Sequence, residues 1–525
     1  MANAEAAAQG YTPRPAALIG FYLLLALITV LPLLGIDMPG LGDYPNHLAR
    51  AAILADAGHS PALQKFFDPG WHFAPYAGMD VIVVALAQVM PIYTAGRIFI
   101  AICLLMPVLA AMALRRAATG QIGVLPACAF FVSYNYMLSR GFLTYLFGAC
   151  LAVMVFALWI GTQRARPAWR LPVFALALIA LYTCHAFAFA FYALLLGSFE
   201  LWAVRHTLRA APARGLARVA AAAATGLPAV IFALLMQKNA GLAGHMDFRF
   251  GPLAHHLNAL LSAFFFPSPA ADLTELIVIP LGALMLFRHG AAMRRLIVPE
   301  LAGTLLAVGL VALMMPETMV NIWGIFFRLP VMCVVLALGC VRPIPALPPR
   351  RARLVLASLV VLVGMRAAGA AVIMRQANHL ADQTRAVLAS LPPGQRLLVA
   401  QDLHADFELG TMVDHFGTLA TIERAAYVPY LFLYMVQPRQ DAPVVGSINA
   451  AAIDLARLNS GAAAWPDGVP RPPYQYGGQE YWRGWPAHFD YVLITHFGKR
   501  AAPLPAMLRH VTGNDFADLY AVLPR

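Results

Sequence analysis

Long apolar segments alternate with short polar connections over residues 1–374 of the chain. A helix needs roughly 20 mostly apolar residues to cross the hydrocarbon core of a bilayer, and these segments approach that length. The pattern therefore predicts about eleven membrane-spanning helices, at residues 17–35, 97–114, 122–138, 142–162, 171–186, 187–204, 219–236, 273–288, 297–315, 325–341 and 354–373.

A further apolar segment, Val81 to Pro91, is too short to cross a bilayer. It is typical of a juxtamembrane or re-entrant helix within a long first loop at residues 36–96. If this segment does cross, the count becomes about twelve and the sidedness of every later loop is reversed.

The pattern changes at residue 375, where charged residues, Gln, Asn and Pro return and apolar residues form short runs. This composition predicts a soluble α/β domain at residues 375–525. A helix is expected at His379 to Leu391, before Pro392, Pro393 and Gly394. Buried strands are expected at Arg396 to Ala400, Tyr491 to Thr495 and Leu519 to Leu523. The fold class predicted is thus an α-helical polytopic membrane protein with a small C-terminal α/β domain.

Composition supports a membrane protein, because a chain with 61% hydrophobic and 12% charged residues has too little polar surface for a soluble globule. The formal net charge of +12 comes almost entirely from arginine. With the N-terminus inside, the inner loops hold most of these arginines, and the outer turns hold only Arg140, Lys238 and Arg249. This asymmetry accounts for the basic charge without nucleic acid. It predicts a bacterial inner-membrane protein with a cytoplasmic N-terminus and a periplasmic C-terminal domain.

The cysteines and the N-terminus add two expectations. All six cysteines fall inside apolar segments, so neither a disulfide framework nor a Cys-based zinc site is expected. The apolar stretch from Leu18 to Leu34 follows a single arginine, Arg14, and no small-x-small cleavage site comes after it. An uncleaved first span is therefore expected instead of a signal peptide.

The segment from Ile36 to Ala55 carries the most candidate chemistry, just after the first predicted span. Asp37, Asp43, His47 and Arg50 stand close together, and His47 and Arg50 share one face of a helix that begins near Pro45. Asp43 could reach a substrate held at the membrane boundary. It could equally be the N-cap of that helix, a position at which Asp is favoured.

Polar residues at membrane depth are costly and tend to line cavities. Four such groups map to the predicted outer side: residues near Arg140, residues near His185, those of the fourth outer loop, and Arg328. The members are Tyr134, Asn135, Tyr136, Ser139, Arg140 and Tyr145; Thr183 and His185; Arg249, His255 and His256; and Arg328. Each group also has a structural explanation as an interfacial tyrosine belt, a packed histidine or a snorkelling arginine. Consecutive His255 and His256 match no metal motif.

Two stretches of the C-terminal region are suggestive. Residues 470–486 (PRPPYQYGGQEYWRGWP) interleave aromatic residues with Gly and Pro, which is typical of either a sugar-stacking surface or an interfacial belt. Residues 401–406 (QDLHAD) place Asp402, His404 and Asp406 at the end of a strand. The chain has no phosphate-cradling Walker loop and no nucleophile elbow, which argues against an ATP-driven pump or a serine hydrolase.

The order of these features resembles that of the GT-C-type membrane glycosyltransferases, which use polyprenyl-phosphate sugars. The resemblance rests on a first span followed by a long loop with an acidic residue in GDYPNHLARAAIL, a juxtamembrane helix, and a span that opens at Ala95, Gly96, Arg97 and Ile98. The segment RAAYVPYLF, Arg424 to Phe432, is similar to a stretch of uncharacterised polysaccharide-linked bacterial proteins. The resemblance covers nearly the whole chain through loose motifs.

This resemblance implies site residues and partners. The first-loop acid acts in such enzymes as catalytic base or as an anchor for metal and acceptor; here it matches Asp43, with Asp37 in reserve. No second acid stands beside Asp43, so metal dependence stays open and a divalent cation, Mg²⁺ or Mn²⁺, is a candidate cofactor. The expected partners are a polyprenyl-phosphate-linked sugar, membrane lipid and a glycan, lipid or protein acceptor.

Charge then suggests roles for the remaining residues. A departing polyprenyl phosphate is an anion, so Arg140, Arg249 or Arg328 would hold it while Asp43 takes the acceptor proton. His47 or His185 would assist, and Arg50, Tyr134, Asn135 and Tyr145 are further candidate substrate contacts. Two other classes remain open: a transporter or flippase of a lipid-linked saccharide, and a noncatalytic envelope-assembly protein. Broken midplane helices and paired half-repeats, which would favour the transporter, are not evident.

Overall fold

We describe a computed structural model of the chain. The structure describes residues 14–56, 58–68, 71, 75–163, 165, 167–237, 248–267, 280–282, 284, 288, 290, 295–319, 322–342, 348–402, 410, 412–433, 436–439, 452–462, 482–497 and 503–523. Most of the predicted span at 273–288, His404, Asp406 and residues 470–481 lie outside this part of the chain.

Helices dominate the described residues up to position 388. They are α1 (Pro15–Val30), α2 (Tyr44–Asp56), α3 (Pro61–Gln64), α4 (Gly78–Ala87), α5 (Ile92–Thr119), α6 (Tyr136–Ser139), α7 (Leu143–Gly161), α8 (Pro167–Cys184), α9 (Ala186–Val204), α10 (Thr207–Ala210), α11 (Pro212–Ala224), α12 (Leu227–Gln237), α13 (Leu253–Leu261), α14 (Pro299–Met314), α15 (Leu329–Cys340) and α16 (Pro349–Leu388). Later helices are α17 (Leu419–Arg424) and α18 (Leu455–Ser460). Short 3-10 turns lie at Leu31–Leu33, Leu125–Val132, Phe416–Thr418 and Trp485–Ala487.

The strands are β1 (Phe67–Asp68), β2 (Phe248–Arg249), β3 (Thr318–Met319), β4 (Ile322–Trp323), β5 (Leu397–Asp402), β6 (Gln437–Pro438), β7 (Ile453–Asp454), β8 (Tyr491–His496), β9 (Leu508–Gly513) and β10 (Ala517–Val522). Five of them form a mixed sheet in the order β7-β5-β8-β10-β9. β5 runs parallel to β7 and β8, whereas β10 is antiparallel to β8 and β9. The predicted strands at 396–400, 491–495 and 519–523 are confirmed as β5, β8 and β10.

Several apolar helices are long enough to cross a membrane. In the described part of the chain, five helices qualify by length and hydropathy, or six if the pair α11 and α12, bent by 44°, is one span. Four shorter apolar helices add to these, including α14 and α15. The chain is thus a mostly helical, multi-span membrane protein, although the described helices do not reproduce the predicted count of about eleven full-length spans.

The predicted span at 122–138 is wrong. The chain there forms a 3-10 segment, Leu125–Val132, then a break, then the four-residue helix α6. The Asn135 side chain accepts a hydrogen bond from the Leu138 N–H at 3.1 Å, so it caps a new helix at the point where the old one would have continued. Buried Arg366 of α16 donates to the carbonyls of Tyr134 and Phe264. Irregular apolar backbone of this kind needs such protein partners.

The helix predicted at 379–391 is the end of α16, a continuous helix of 40 residues that also contains the last predicted span. The C-terminal region is therefore joined directly to the membrane helices. It also contacts the first loop, because β1 pairs with β6 in an antiparallel two-stranded sheet. These connections bring residues of the first loop and the C-terminal region together.

Candidate functional site

The first loop presents Asp43 at the start of α2. The N–H of Gly42 donates to the Ser139 carbonyl, and that of Asp43 donates to the Arg140 carbonyl, both at 3.0 Å. The approach is close: a Cβ on Gly42 would lie 2.6 Å from the Arg140 carbonyl oxygen. The Asp43 carbonyl accepts from the His47 N–H at 3.1 Å, so Asp43 directly precedes the first turn of α2. The turn at 139–141 therefore fixes the position of Asp43.

The Asp43 side chain faces a residue of the C-terminal region. Its Oδ1 lies 3.4 Å from Nε2 of His415, and 20% of the Asp43 side chain stays exposed, against 8% for His415. Tyr430 and Phe432 pack around the His415 ring, with centroids at 5.6 and 5.3 Å. We define Asp43, His415, Asn46, His47 and Arg140 as the first-loop site. Its carboxylate is both anchored and accessible.

Neighbouring charges keep the Asp43 carboxylate ionised. Burial alone would raise the pKa of Asp43, but the hydrogen bond from His415, together with the positive charge of Arg140, holds that pKa below its usual value. The nearby Asp414 shows the opposite effect, because burial raises the pKa of that carboxyl despite the favourable charge of Arg140. Two neighbouring carboxyls whose pKa values are shifted in opposite directions are typical of functional sites.

Arg140 supplies positive charge at the same site. Its guanidinium lies 5.6 Å from the ring centroid of Trp323 in β4. Its Nε is buried, and no described residue hydrogen-bonds to it. Because this buried N–H donor has no partner in the described chain, Arg140 can donate a hydrogen bond to a bound group.

His47 is held in its neutral form. Its ring packs edge-on against Phe432, with centroids 5.3 Å apart. Burial, followed by the positive charge of Arg50, lowers the pKa of His47 to about 3. His47 therefore contributes no positive charge at neutral pH.

Arg50, predicted as a substrate contact, is buried and hydrogen-bonds to other residues of the protein. Its Nε and one terminal nitrogen donate to both carboxylate oxygens of Asp80 at 2.9 Å, and its other terminal nitrogen donates to the Phe432 carbonyl at 3.0 Å. Both charged side chains are fully buried. This bidentate pair joins α2, α4 and the segment that flanks His415. We therefore assign Arg50 a positioning role.

Tyr134 and Asn135, also predicted as substrate contacts, hold the irregular segment together. The Tyr134 hydroxyl donates to the Thr29 carbonyl at 2.7 Å. The Asn135 amide donates to the carbonyls of Val132 and Ser133, and its oxygen caps α6. These contacts are structural, and they support the turn that carries Arg140.

Asp37, the reserve acid, belongs to a different group. It lies 3.8 Å from a terminal nitrogen of Arg97 and 3.7 Å from one of Arg385. Arg385 also pairs with Asp382 and Glu423, which places this network where α5, α16 and α17 meet. Asp37 therefore lies outside the first-loop site.

His185, Tyr145 and Arg328 form a separate aromatic group at the break between α8 and α9. The Arg328 guanidinium lies 4.7 to 5.1 Å from the ring centroids of Phe142, Tyr145 and Phe187. The Tyr145 hydroxyl donates to the Arg328 carbonyl at 2.6 Å, and the His185 ring packs 5.5 Å from that of Tyr145. His185 lies within electrostatic reach of both Arg328 and His47, so this group adjoins the first-loop site.

Arg249 lies apart from these groups. It is exposed in β2, where its backbone pairs with Thr318 of β3. His255, a few residues later, lies 3.8 Å from Glu317. No described contact joins Arg249 to Asp43, so Arg140 is the better candidate for a cation at the site.

The donor set does not fit a resident divalent cation. Across the described positions, no group of three or more His, Cys, Asp or Glu side chains lies close enough together to hold a metal ion. The Asp43 carboxylate contacts His415, and Asp414 and Arg140 are its other charged neighbours. We therefore derive no step through Mg²⁺ or Mn²⁺.

Sequence reasoning missed His415, Asn46 and Asp80. Asn46 stands within the quoted motif GDYPNHLAR, and Asp80 is a carboxylate in an apolar segment, so both carried a signal. His415 had none, because its neighbourhood matches no motif and the residue is 372 positions from Asp43 in the numbering. Only the folded chain brings them together.

Comparisons with known proteins bear on the fold. No model of a known protein family and no curated protein matches the chain. Among solved structures, the chain is similar to the crystal structure of ArnT from Cupriavidus metallidurans bound to undecaprenyl phosphate, with a TM-score of 0.52. The match covers 97% of this chain and 98% of ArnT at 13% sequence identity. At this identity the likeness shows the fold alone, and it confirms the expected GT-C-like architecture: the chain has the fold of ArnT.

Proposed function

We propose that this protein is an inverting glycosyltransferase that moves a sugar from a polyprenyl-phosphate donor to an envelope glycan, lipid or protein acceptor. The observation that carries the proposal is the Asp43 carboxylate. It is ionised by its surroundings, remains 20% exposed, and lies beside a cation, Arg140. The crystallised ArnT binds undecaprenyl phosphate, and the shared fold makes a lipid of that class the first donor to test.

The chemistry follows from the charges at the site. The acceptor hydroxyl oxygen attacks the anomeric carbon and its proton passes to Asp43, while the bond from that carbon to the phosphate oxygen breaks. The phosphate leaves with the electron pair, and Arg140 stabilises its negative charge. A single displacement of this kind inverts the anomeric configuration. Arg328, in the adjoining aromatic group, is a second candidate cation for the phosphate.

The membrane placement belongs to the same proposal. The arginine distribution favours a cytoplasmic N-terminus, and with it a periplasmic first loop and C-terminal region. The first-loop site would then lie at the outer face of the inner membrane. Lipid-linked donors and envelope acceptors meet there.

The test is transfer of radiolabelled sugar by the purified full chain in liposomes. The donors are undecaprenyl-phosphate-linked hexoses and pentoses, and the acceptors are envelope extracts of a deletion strain. We expect saturable, covalent incorporation with an inverted anomeric configuration. Movement of the donor across the bilayer without covalent product would instead identify a flippase. Neither transfer nor movement, with retained binding to envelope proteins, would identify an assembly protein.

A further inference from the structure

The orientation of the Asn46 side chain is fixed by two backbone groups of the C-terminal region. The Phe432 N–H, which can only donate, lies 2.7 Å from Oδ1 of Asn46. The Tyr430 carbonyl, which can only accept, lies 2.9 Å from Nδ2 of Asn46. Exchanging the amide oxygen and nitrogen would break both hydrogen bonds in a fully buried position. The Asn46 nitrogen therefore points toward His415.

This orientation determines which nitrogen of His415 carries the proton. Nδ2 of Asn46 lies 3.2 Å from Nδ1 of His415. An amide nitrogen donates and does not accept, so Nδ1 must be the acceptor and must lack a proton. A neutral imidazole then carries its proton on Nε2, the atom that lies 3.4 Å from Oδ1 of Asp43.

We propose that Asn46 and His415 are positioning residues for the transfer reaction: Asn46 holds His415 as the neutral Nε2–H tautomer, and His415 donates that proton in a hydrogen bond that orients Asp43 as an ionised base. The proposal rests on the proposed function and adds to it a residue of the C-terminal region. In this arrangement Oδ1 of Asp43 accepts the hydrogen bond from His415. Oδ2 would then accept the proton of the acceptor hydroxyl.

The same arrangement prevents His415 from taking that proton itself. Protonating Nδ1 would set two N–H donors against each other in a buried contact. Of the groups around the His415 ring, the Asp43 and Asp414 carboxyls favour the imidazolium. The positive charge of Arg140 and the N–H of the neutral Asn46 amide oppose it. His47 is neutral at the pH of the assays.

A direct test is the ¹⁵N spectrum of the full chain labelled with ¹⁵N-histidine in lipid nanodiscs. His415 is assigned as the signal pair lost in His415→Gln. We expect an unprotonated Nδ1 and a protonated Nε2 at neutral pH. We expect Asn46→Asp, whose carboxylate accepts from Nδ1–H, to convert the ring to imidazolium. A wild-type His415 that is imidazolium or Nδ1-protonated at neutral pH would overturn the tautomer assignment.

A second arm follows sugar transfer from the undecaprenyl-phosphate donors. His415→Leu removes the hydrogen bond to a charged group, so we expect kcat to fall by about 10- to 100-fold with little change in KM for the donor. The acidic limb of the pH profile should move to higher pH, because the pKa of Asp43 rises without its partner. His415→Gln, which still offers an N–H, should recover most of the rate. The matched control is His510→Gln, which changes an exposed histidine in β9, the edge strand of the mixed sheet.

The two arms separate the possible failures. If the wild-type protein transfers sugar from none of the donors but gives the expected ¹⁵N signals, the proposed function is rejected and the tautomer assignment stands. An active wild type whose rate and acidic limb are unchanged in His415→Leu would reject the role of His415 alone.

Discussion

At the scale of single residues, the side chains around Asp43 determine the chemistry of its carboxylate. Asp43 would be difficult to ionise if burial acted alone, and the hydrogen bond from His415 with the positive charge of Arg140 reverses that effect. The sequence identified Asp43, Arg140 and His47 because they lie near predicted span ends. It could not identify His415, because the contact depends on a turn in the C-terminal region that no periodicity marks.

Arg50 shows the limit of reasoning from residue type. The position of Arg50 near a predicted membrane boundary suggested a contact with the substrate. In the structure, however, the Arg50 side chain forms a buried ion pair with Asp80. The difference depends on α4, which a hydropathy pattern describes only as a short apolar run. A pattern does not show which charged residue has a partner.

His47 leads to a prediction about stability and pH. Its pKa is about 3 in the folded chain and near 6.5 when unfolded, so between these values the unfolded chain binds more protons. Stability should therefore fall as the pH drops from 6.5 toward 3, by at most about 1.4 kcal/mol per pH unit from this residue. Thermal melting at pH 7 and pH 5 should show a smaller drop for His47→Gln than for wild type. An equal drop in the melting temperatures of wild type and His47→Gln would contradict this prediction. His379→Gln, which changes an exposed histidine, is the control.

At the scale of elements, the turn at 139–141 is the support of the site. Gly141 has a φ of +77°, and a Cβ there would lie 2.5 Å from the Asp43 nitrogen. The turn therefore needs glycine for both its conformation and its close approach. The sequence placed this turn correctly after an apolar segment, but took that segment for a straight span.

Gly141→Ala is the corresponding prediction. The left-handed conformation costs roughly 1–2 kcal/mol for a non-glycine residue, and the new methyl group pushes the backbone of Asp43 away. We expect a protein that inserts and folds but transfers sugar at least about tenfold more slowly, since small misplacements of a catalytic group are costly. The measurements are melting temperature and transfer rate. Gly364→Ala, where a Cβ meets nothing within 4 Å, should behave as wild type; a matching result for Gly141→Ala would refute the support role.

Hydropathy predicted other elements unevenly. Segments with a strong apolar signal became α1, α5, α7 and α9, and alternation and short apolar runs predicted three strands of the mixed sheet. It did not predict that α16 would continue past its apolar part to a total length of 40 residues. The polar half of α16 carries helix-forming residues without a breaker, so the helix continues into the C-terminal region.

At the scale of the whole molecule, the fold brings the first loop and the C-terminal region into contact. Asp43 and His415 come from opposite ends of the described chain, and β1 with β6 and the Arg50 contact to Phe432 join the same two parts. The C-terminal region is therefore part of the candidate site.

The sidedness of this arrangement can be measured. Exposed Arg509 in β9 and exposed Arg209 in α10 lie on opposite predicted sides of the membrane. Arg509→Cys should react with a membrane-impermeant maleimide once the outer membrane is permeabilised, whereas Arg209→Cys should react only after the inner membrane is disrupted. The wild-type chain gives the background from its six cysteines. The reverse labelling would place the C-terminal region in the cytoplasm.

The most direct test of the central claim compares Asp43→Asn with Asp56→Asn in the sugar-transfer assay. Both are carboxylate-to-amide changes on the same helix, but Asp56 is exposed at its far end. We expect Asp43→Asn to insert, melt near the wild-type temperature and lose transfer by about 100-fold or more, since general base catalysis contributes about 10²–10⁴-fold. Asp56→Asn should transfer sugar at the wild-type rate. Full transfer activity in Asp43→Asn would show that Asp43 is not the base.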